Sequence, residues 1–555
     1  MGLVGLVVLV GLVGLVGLVG AACGESDRGP RWRGYGAHVP RHGGTLTTST
    51  FLELRTLDPA LADDEASLLP LCHVYDTLVA LADPAPGSAA PPEIVPQLAA
   101  SYERSRDGRT YAFTLRDGIA FSNGRAVVAA DVAYALRRVL RMADSPYRSL
   151  LDGIVGATAY GAGARDDVPG IRAVGDRRLE LELARPDAAF LQVLTLRFTT
   201  PLAEDFVAGH GGALRDATLG TGPFTLASRP EDEAIVLVRN PRYWDAPRPY
   251  LDRIVVRQRV AREAAFLAFE AGELDVVDRP ALPDWRWSTA RDDWRPYVHR
   301  ITQLAVFGTR INLARPPLDD RRVRQALNFA VDQRGLVKLL GGLAVPSHGM
   351  LPPGLAGRDD AIAPYPHDPA RARALLAEAG VRALDLEYAT VADEAAVRAA
   401  ELVQRDLAAV GVRVRITEMA WPVYLAASAR RDGPALAMAS WLADYPDPSS
   451  FLDLRFHSRN ITDRDSTNDS FYADPRVDRA IDEARRTTDP AARAALYRRI
   501  ERILHDDAPW IWGYHPELVA ITQPYVRGFA LHSISGISLR DVWLDLDPHG
   551  RRVAR

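Results

Sequence analysis

The sequence predicts a multidomain α/β protein that mixes antiparallel hairpins with at least one parallel βαβ unit. Three observations carry this. First, 555 residues exceed what one hydrophobic core organises, so two or three domains are expected. Second, "LDLEYATV", "AAVRAAELVQRDLAAVG" and "VRVRITEM" follow one another as strand, amphipathic helix and strand. Third, "ASYERSRDGRTYAFTLRDG" places Asp107-Gly108 between two strand-like runs, with Tyr111, Phe113 and Leu115 alternating on one face. That is the pattern of a hairpin closed by a two-residue turn.

The chain opens with an apolar run, residues 1–22, followed by Cys23 and a polar stretch. A run this long could span a bilayer. Small residues directly before a cysteine are also the mark of a cleaved signal, and "GAAC" resembles a bacterial lipobox. Gly20 stands where a leucine is usual, and no Lys or Arg precedes the run. Two readings follow: a lipid attached to Cys23, which is favoured, or an uncleaved anchor. Both place the body outside the cytoplasmic membrane and tethered to it. Residues 23–43, rich in Gly, Arg and Pro, read as a flexible tether. The only other cysteine, Cys72, sits in an apolar run and is expected as a small core residue, so no disulfide framework or cysteine zinc site is available.

Composition narrows the function classes. The hydrophobic fraction of 47% and charged fraction of 25% are those of a globular protein. A net charge of -4 offers no electrostatic case for binding nucleic acid.

Further elements follow in order. "GGTLTTST" alternates as a strand, and "PLCHVYDTLVAL" reads as a helix. Asn123-Gly124 is a second turn, after which Val128, Val132, Leu136 and Leu140 share a helical stripe. "GTGPFTLASRPEDEAIVLVRNPRYW" is another hairpin, and "REAAFLAFEAGELD" a helix closed by Gly272. Residues 319–340 read as one amphipathic helix with an acidic start. Asp368-Pro369 begins a helix that Gly380 ends. The region from Pro475 to about Asp507 is helical, and strands return near the C-terminus.

"LDPA" from Leu57, "PQLAASYERSRDGRTYAFTLRDGIAFSNGRAVVAADVAYALRRV" from Pro96, "GTGPF" from Gly220, "VRNPRYW" from Val238, "PPLDDRRVRQALNFAVDQRGLV" from Pro316, "HDPARARALLAEAG" from His367 and "SWLADYPDP" from Ser440 occur in this order. The set resembles the peptide-type solute-binding proteins of ABC transporters, the dipeptide, oligopeptide and nickel receptors. The resemblance implies a two-lobed, hinged periplasmic-binding-protein-like α/β fold. Lobe I would combine residues 44–78, 212–301 and 513–555, with an inserted subdomain at 79–211. Lobe II would span 302–512, and a ligand would be enclosed between the lobes.

In peptide-binding members the aspartate of the "ADY"-type motif holds the ligand α-amino group, and the matching residue is Asp444. A buried ammonium needs a carboxylate, and a ligand backbone needs a strand edge, which residues 438–443 would offer. Trp441 and Tyr445 are expected to wall the cleft, with Trp421 a further pocket residue. The bland alternative makes Asp444 a turn cap. For Asp447, which precedes Pro448, the helix-start reading is preferred. Asn312 and Arg324 are expected to be structural.

The expected function is capture of a peptide or similar amine-bearing solute by a monomeric lipoprotein, which delivers it to a membrane permease. No cofactor or metal is expected. The alternatives inside the fold are a metal chelate, haem, an oligosaccharide or an opine-like ligand, or a sensing role. An extracytoplasmic hydrolase is the rival class, but the sequence has neither a G-x-S-x-G elbow nor an H-E-x-x-H pair.

Overall fold

The computed structural model describes residues 30–82, 92–227, 232–278, 294–534 and 536–554. Residues 1–22 and Cys23 lie outside them. Among the described residues no helix is long and apolar enough to cross a membrane.

The molecule is a two-lobed α/β structure. In the first lobe the strand Thr45–Ser49 runs parallel to Arg253–Arg257, which continues antiparallel into Ala234–Arg239 and Phe224–Leu226. A separate antiparallel sheet orders Ala99–Arg104, Thr110–Leu115, Arg178–Glu182 and Ile171–Val174. Helix Ala129–Arg141 packs on it through Val132, Leu136 and Leu140, all fully buried, as the 3.6-residue period requires.

The second lobe is organised by one sheet. Strand Ala305–Ile311 lies between Trp510–Thr522 and Leu436–Leu442 and is antiparallel to both. Leu436–Leu442 then pairs in parallel with Leu384–Val391, and that strand in parallel with Val412–Met419. The βαβ unit is therefore present, with helix Glu394–Ala408 as its crossover. The lobes are joined through paired strands. Trp510–Thr522 pairs with Ala305–Ile311 in its first part and with Val298–Thr302 in its second. Gln303 N donates to Pro516 O (2.9 Å) where the two chain segments cross between lobes. Two adjacent extended segments run side by side there, the kind of connection between lobes that can serve as a hinge.

Several local expectations are corrected. Residues 319–340 form two helices, Arg321–Ala330 and Gln333–Leu339. The break is extended backbone at Val331 and Asp332, where Asp332 N donates to the Asp406 carboxylate (2.9 Å) instead of continuing the helical ladder. The Asp107-Gly108 hairpin closes at Ser105, whose N donates to Thr110 O, leaving a four-residue loop with Gly108 at φ +69°. The run after Tyr75 leaves the helix Glu65–Val74 and becomes the strand Val79–Leu81. Cys72 is free and only half-buried. The tether region is fastened from Trp32: Trp32–Arg33 pairs with Val553–Ala554, and Gly36 N and Ala37 N donate to the Asp545 carboxylate.

One buried ion pair ties the early "LDPA" segment to the subdomain helix. Asp58 is fully buried and meets Arg138 in a fork, with contacts of 2.8 and 2.5 Å. The backbone amides of Ala60 and Leu214 donate to the same carboxylate. Burial raises the Asp58 pKa, but Arg138 and these amides outweigh it and hold the group below the usual aspartate range. A depressed folded-state pKa stabilises above the unfolded value and loses that stabilisation as pH falls through the folded one. Asp58→Asn is expected to cost about 3–5 kcal/mol at neutral pH by leaving Arg138 unpaired. Urea unfolding at pH 7 and pH 3 checks this: the deficit should shrink at the lower pH.

Candidate functional site

Three parallel strands end side by side in the second lobe, and each leads into a residue with a distinct chemistry. Val412–Met419 leads to Trp421, Leu384–Val391 to Asp393, and Leu436–Leu442 to Asp444. Ligands of open α/β sheets lie at such carboxyl ends.

The backbone of Leu436–Leu442 is exposed along one edge here. Its other edge is fully occupied by Ala305–Ile311, from Ile311↔Leu436 to Ala305↔Leu442. Its pairing with Leu384–Val391 covers only Tyr388↔Leu436 and Ala389↔Ala437. The Tyr424 hydroxyl donates to Met438 O. Among the described residues, 439–442 have no neighbouring strand on that side, the arrangement that accepts an added strand.

Asp444 follows this edge. Its backbone N donates to Ser450 Oγ (3.2 Å), and among the described residues no cation or hydrogen-bond donor meets its carboxylate. The side chain keeps solvent access, yet protein surrounds it closely enough for desolvation to push its pKa up to about 6. Tyr147 lies within range of that charge, which adds to burial in raising the phenol's pKa. Tyr147 is a first-lobe residue, stacked on Phe198 at 4.7 Å. The Asp444 carboxylate therefore stands near enough to Tyr147 for its charge to act there.

Asp447 belongs to the architecture. It caps helix Pro448–Phe456 by accepting from Ser449 N (2.9 Å), and it forms a buried fork with Arg493. Asn312 and Arg324 bond mainly to backbone carbonyls.

The aromatic residues divide. Trp421 is 52% exposed, stacks on Tyr424 and lines a pocket of about 280 Å³. Trp441 points to the opposite face of its strand, as side-chain alternation requires, and carries the Arg455 guanidinium over its ring at 5.4 Å. Tyr445, expected as a cleft wall, is buried instead. It joins the first lobe's apolar cluster with Phe113 and Phe190, so it acts as a plug between lobes. Arg485 adds a polar bridge, contacting Asp187 of the first lobe and Asp453 of the second at 2.8 Å each. The Ala188 amide donates to its carbonyl.

The family model for bacterial extracellular solute-binding proteins, family 5 (middle), matches residues 93–463, more than half of the chain. The chain belongs to that family. Di/tripeptide-binding protein 2 of Pseudomonas aeruginosa is 30% identical over 522 residues, covering 90% of this chain and 95% of the relative. A solved structure of the periplasmic binding protein DppA from Helicobacter pylori, in complex with the peptide STSA, superposes with a TM-score of 0.74. It has 27% identity and covers 91% of this chain and 99% of that one. The clavulanic acid biosynthesis oligopeptide binding protein 2 gives a TM-score of 0.82 at 25% identity, covering 93% and 99%.

In this family 5 protein Asp393, Tyr388, Tyr147 and Arg485 add to the residues that the sequence points to. Asp393 was within reach of the sequence, because it follows the first strand of the βαβ unit, where ligands collect. The others come from positions distant in the chain and carry no local signal.

The raised Asp444 pKa has a consequence for stability. An aspartate whose folded-state pKa lies above its unfolded value of about 4 loses stability as pH rises through the interval between the two. That cost is absent below about pH 4 and complete above about pH 6. Asp444→Asn removes it. Calorimetry should find the variant's melting temperature equal to wild type near pH 4 and higher at pH 7.5. A variant melting lower than wild type at pH 7.5 contradicts the assignment.

Proposed function

We propose that this chain captures a peptide, or a similar solute bearing a free amine, between its lobes and delivers it to the permease of an ABC importer. The observation that carries this reading is Asp444: a solvent-accessible carboxylate with a raised pKa and, among the described residues, no partner, placed at the end of an open strand edge. A ligand ammonium supplies the missing charge, and the ligand backbone pairs with residues 439–442. The neighbouring di/tripeptide-binding relative and the peptide-bound structure support the same ligand class. The protein works as a monomeric receptor and not as an enzyme, and it returns its ligand chemically unchanged. Lipidated Cys23 holds it at the outer face of the cytoplasmic membrane.

Calorimetric titration with a tripeptide and its N-acetylated form tests the anchor. Acetylation of the ligand and Asp444→Asn in the protein should each weaken binding by about 2–5 kcal/mol, the scale of a buried charge pair that loses one partner. Wild-type affinity should fall as pH drops below about 6, where Asp444 is protonated in the free protein. Unchanged affinity for the acetylated peptide removes the assignment. Membrane attachment is tested by the mass of the mature N-terminal fragment: an acylated Cys23 is expected, and an unmodified Met1 excludes the lipid anchor.

A further inference from the structure

The segment before the strand Thr45–Ser49 is laid over the first lobe as a strap. Trp32–Arg33 pairs antiparallel with Val553–Ala554, and Tyr35 N donates to Asp545 O at 3.0 Å. Gly36 N and Ala37 N donate to the Asp545 carboxylate, also at 3.0 Å, and that side chain is fully buried. Gly34 passes so close that a Cβ there would lie 2.6 Å from Asp545 Oδ2, and the Trp32 indole covers Gly272 in the same way. Arg31 and Arg41 donate to the carbonyls of Ala271 and Leu546. Gly43 N donates to Tyr250 O and Gly44 N to the Asp252 carboxylate, which fastens the far end.

The strap shortens the leash to the N-terminal apolar run. From Cys23 to Arg31 the chain spans at most about 28 Å, whereas an arm free as far as Thr45 would reach about 75 Å. An uncleaved run ending at Ala22 adds one residue to either figure. The strap is also strongly basic. Residues 31–42, "RWRGYGAHVPRH", hold three arginines and two histidines and no acid. The pairing brings Arg551 and Arg552 alongside, but these are committed to Asp547 at 3.0 Å and Asp275 at 2.8 Å. Among the described residues Arg31, Arg33 and Arg41 meet no carboxylate at ion-pair distance, and their recorded contacts are the two carbonyls and the rings of Trp32 and Tyr35. Two exposed acids beside the strap, Asp252 and Glu273, are already paired with Arg239 and Arg257. Arg31 and Arg33 are exposed, and Tyr35 and Val39 next to them are 49% and 66% exposed. Unpaired arginines beside an exposed tyrosine suit the headgroup level of an anionic membrane. Attraction to such a surface fades over about 8 Å at physiological ionic strength, so only a body held close can use it.

We propose that the strap is a membrane-contact surface: Arg31, Arg33 and Arg41, with Tyr35, rest against anionic phospholipid headgroups and turn this edge of the first lobe toward the membrane. This rests on the reading of residues 1–23 as the membrane attachment, in either the lipidated or the uncleaved form. The attachment brings the strap within reach, and the arginines orient the body.

The test is arginine footprinting of the full chain, reconstituted in phosphatidylcholine vesicles with and without phosphatidylglycerol, with phenylglyoxal as reagent and peptide mass as readout. The vesicles hold no permease, so protection there identifies lipid as the partner. Arg31 and Arg33 are expected to react about fivefold more slowly when phosphatidylglycerol is present, and high salt should restore their rate. Arg382, exposed on the second lobe, serves as the control and should react equally in both. In the double variant Arg31→Gln, Arg33→Gln the protection of Arg551 by phosphatidylglycerol should vanish. Equal rates for Arg31 and Arg33 in both vesicles, with the protein floating on both, overturn the contact surface and leave the attachment standing. Protection of Arg551 that survives the double variant removes the arginines from the contact and overturns the proposal as well. A chain that fails to float on phosphatidylcholine vesicles takes away the attachment. In that case protection by phosphatidylglycerol supports the surface alone, and its absence removes both.

Discussion

A solvent-accessible carboxylate with a raised pKa and no partner among the described residues is the constraint around which the cleft is read. Asp444 is held in that state by its position. The strand before it is locked along one edge by Ala305–Ile311, and the turn after it is fixed by the Asp447 cap and the Arg493 fork. Those neighbours satisfy themselves and leave nothing over for Asp444. A positive charge from outside relieves the desolvation, so the site is stabilised by occupancy more than by folding.

The same region links the two lobes. Tyr445, next to the anchor, is buried in the other lobe's core, and Arg485 joins Asp187 to Asp453 across the gap. The paired strands Val298–Thr302 and Ala305–Ile311 both lie on Trp510–Thr522, where the lobes join. The unpartnered carboxylate and the contacts between lobes thus share one short stretch, from Asp444 to Asp453. A ligand that pairs with Asp444 also shields the surfaces that meet on closure, and coupling of this kind is how binding energy shifts a two-state equilibrium.

Membership of the family fixes the scaffold but leaves the ligand to the lining of the cleft. The second-lobe pocket beside Trp421 is apolar around that residue and Tyr388 and has a carboxylate, Asp393, after the Leu384–Val391 strand. Specificity of this sort rests on which groups are absent as much as on which are present, since an unmatched buried charge costs more than a poorly filled pocket.

Local rules carried much of this fold into the sequence. The βαβ unit, the Val132–Leu136–Leu140 stripe, the Asp368-Pro369 helix start and the Asp447 cap all follow from periodicity and capping over a few residues, and all are present. The ordered motif set singles out Asp444 as a position, while its lack of a partner among the described residues is a tertiary property. The break at Val331, the four-residue loop at Asp107-Gly108 and the fastened tether at Trp32 were not, because each depends on a partner far along the chain or on strand registry. The burial of Tyr445 and the packing of Trp441 against Arg455 were likewise tertiary decisions. A sequence states which side chains exist and which face of an element they share. Desolvation and pairing depend on what lies across the gap, and only the folded chain brings residues such as Tyr147 and Asp444 to that distance.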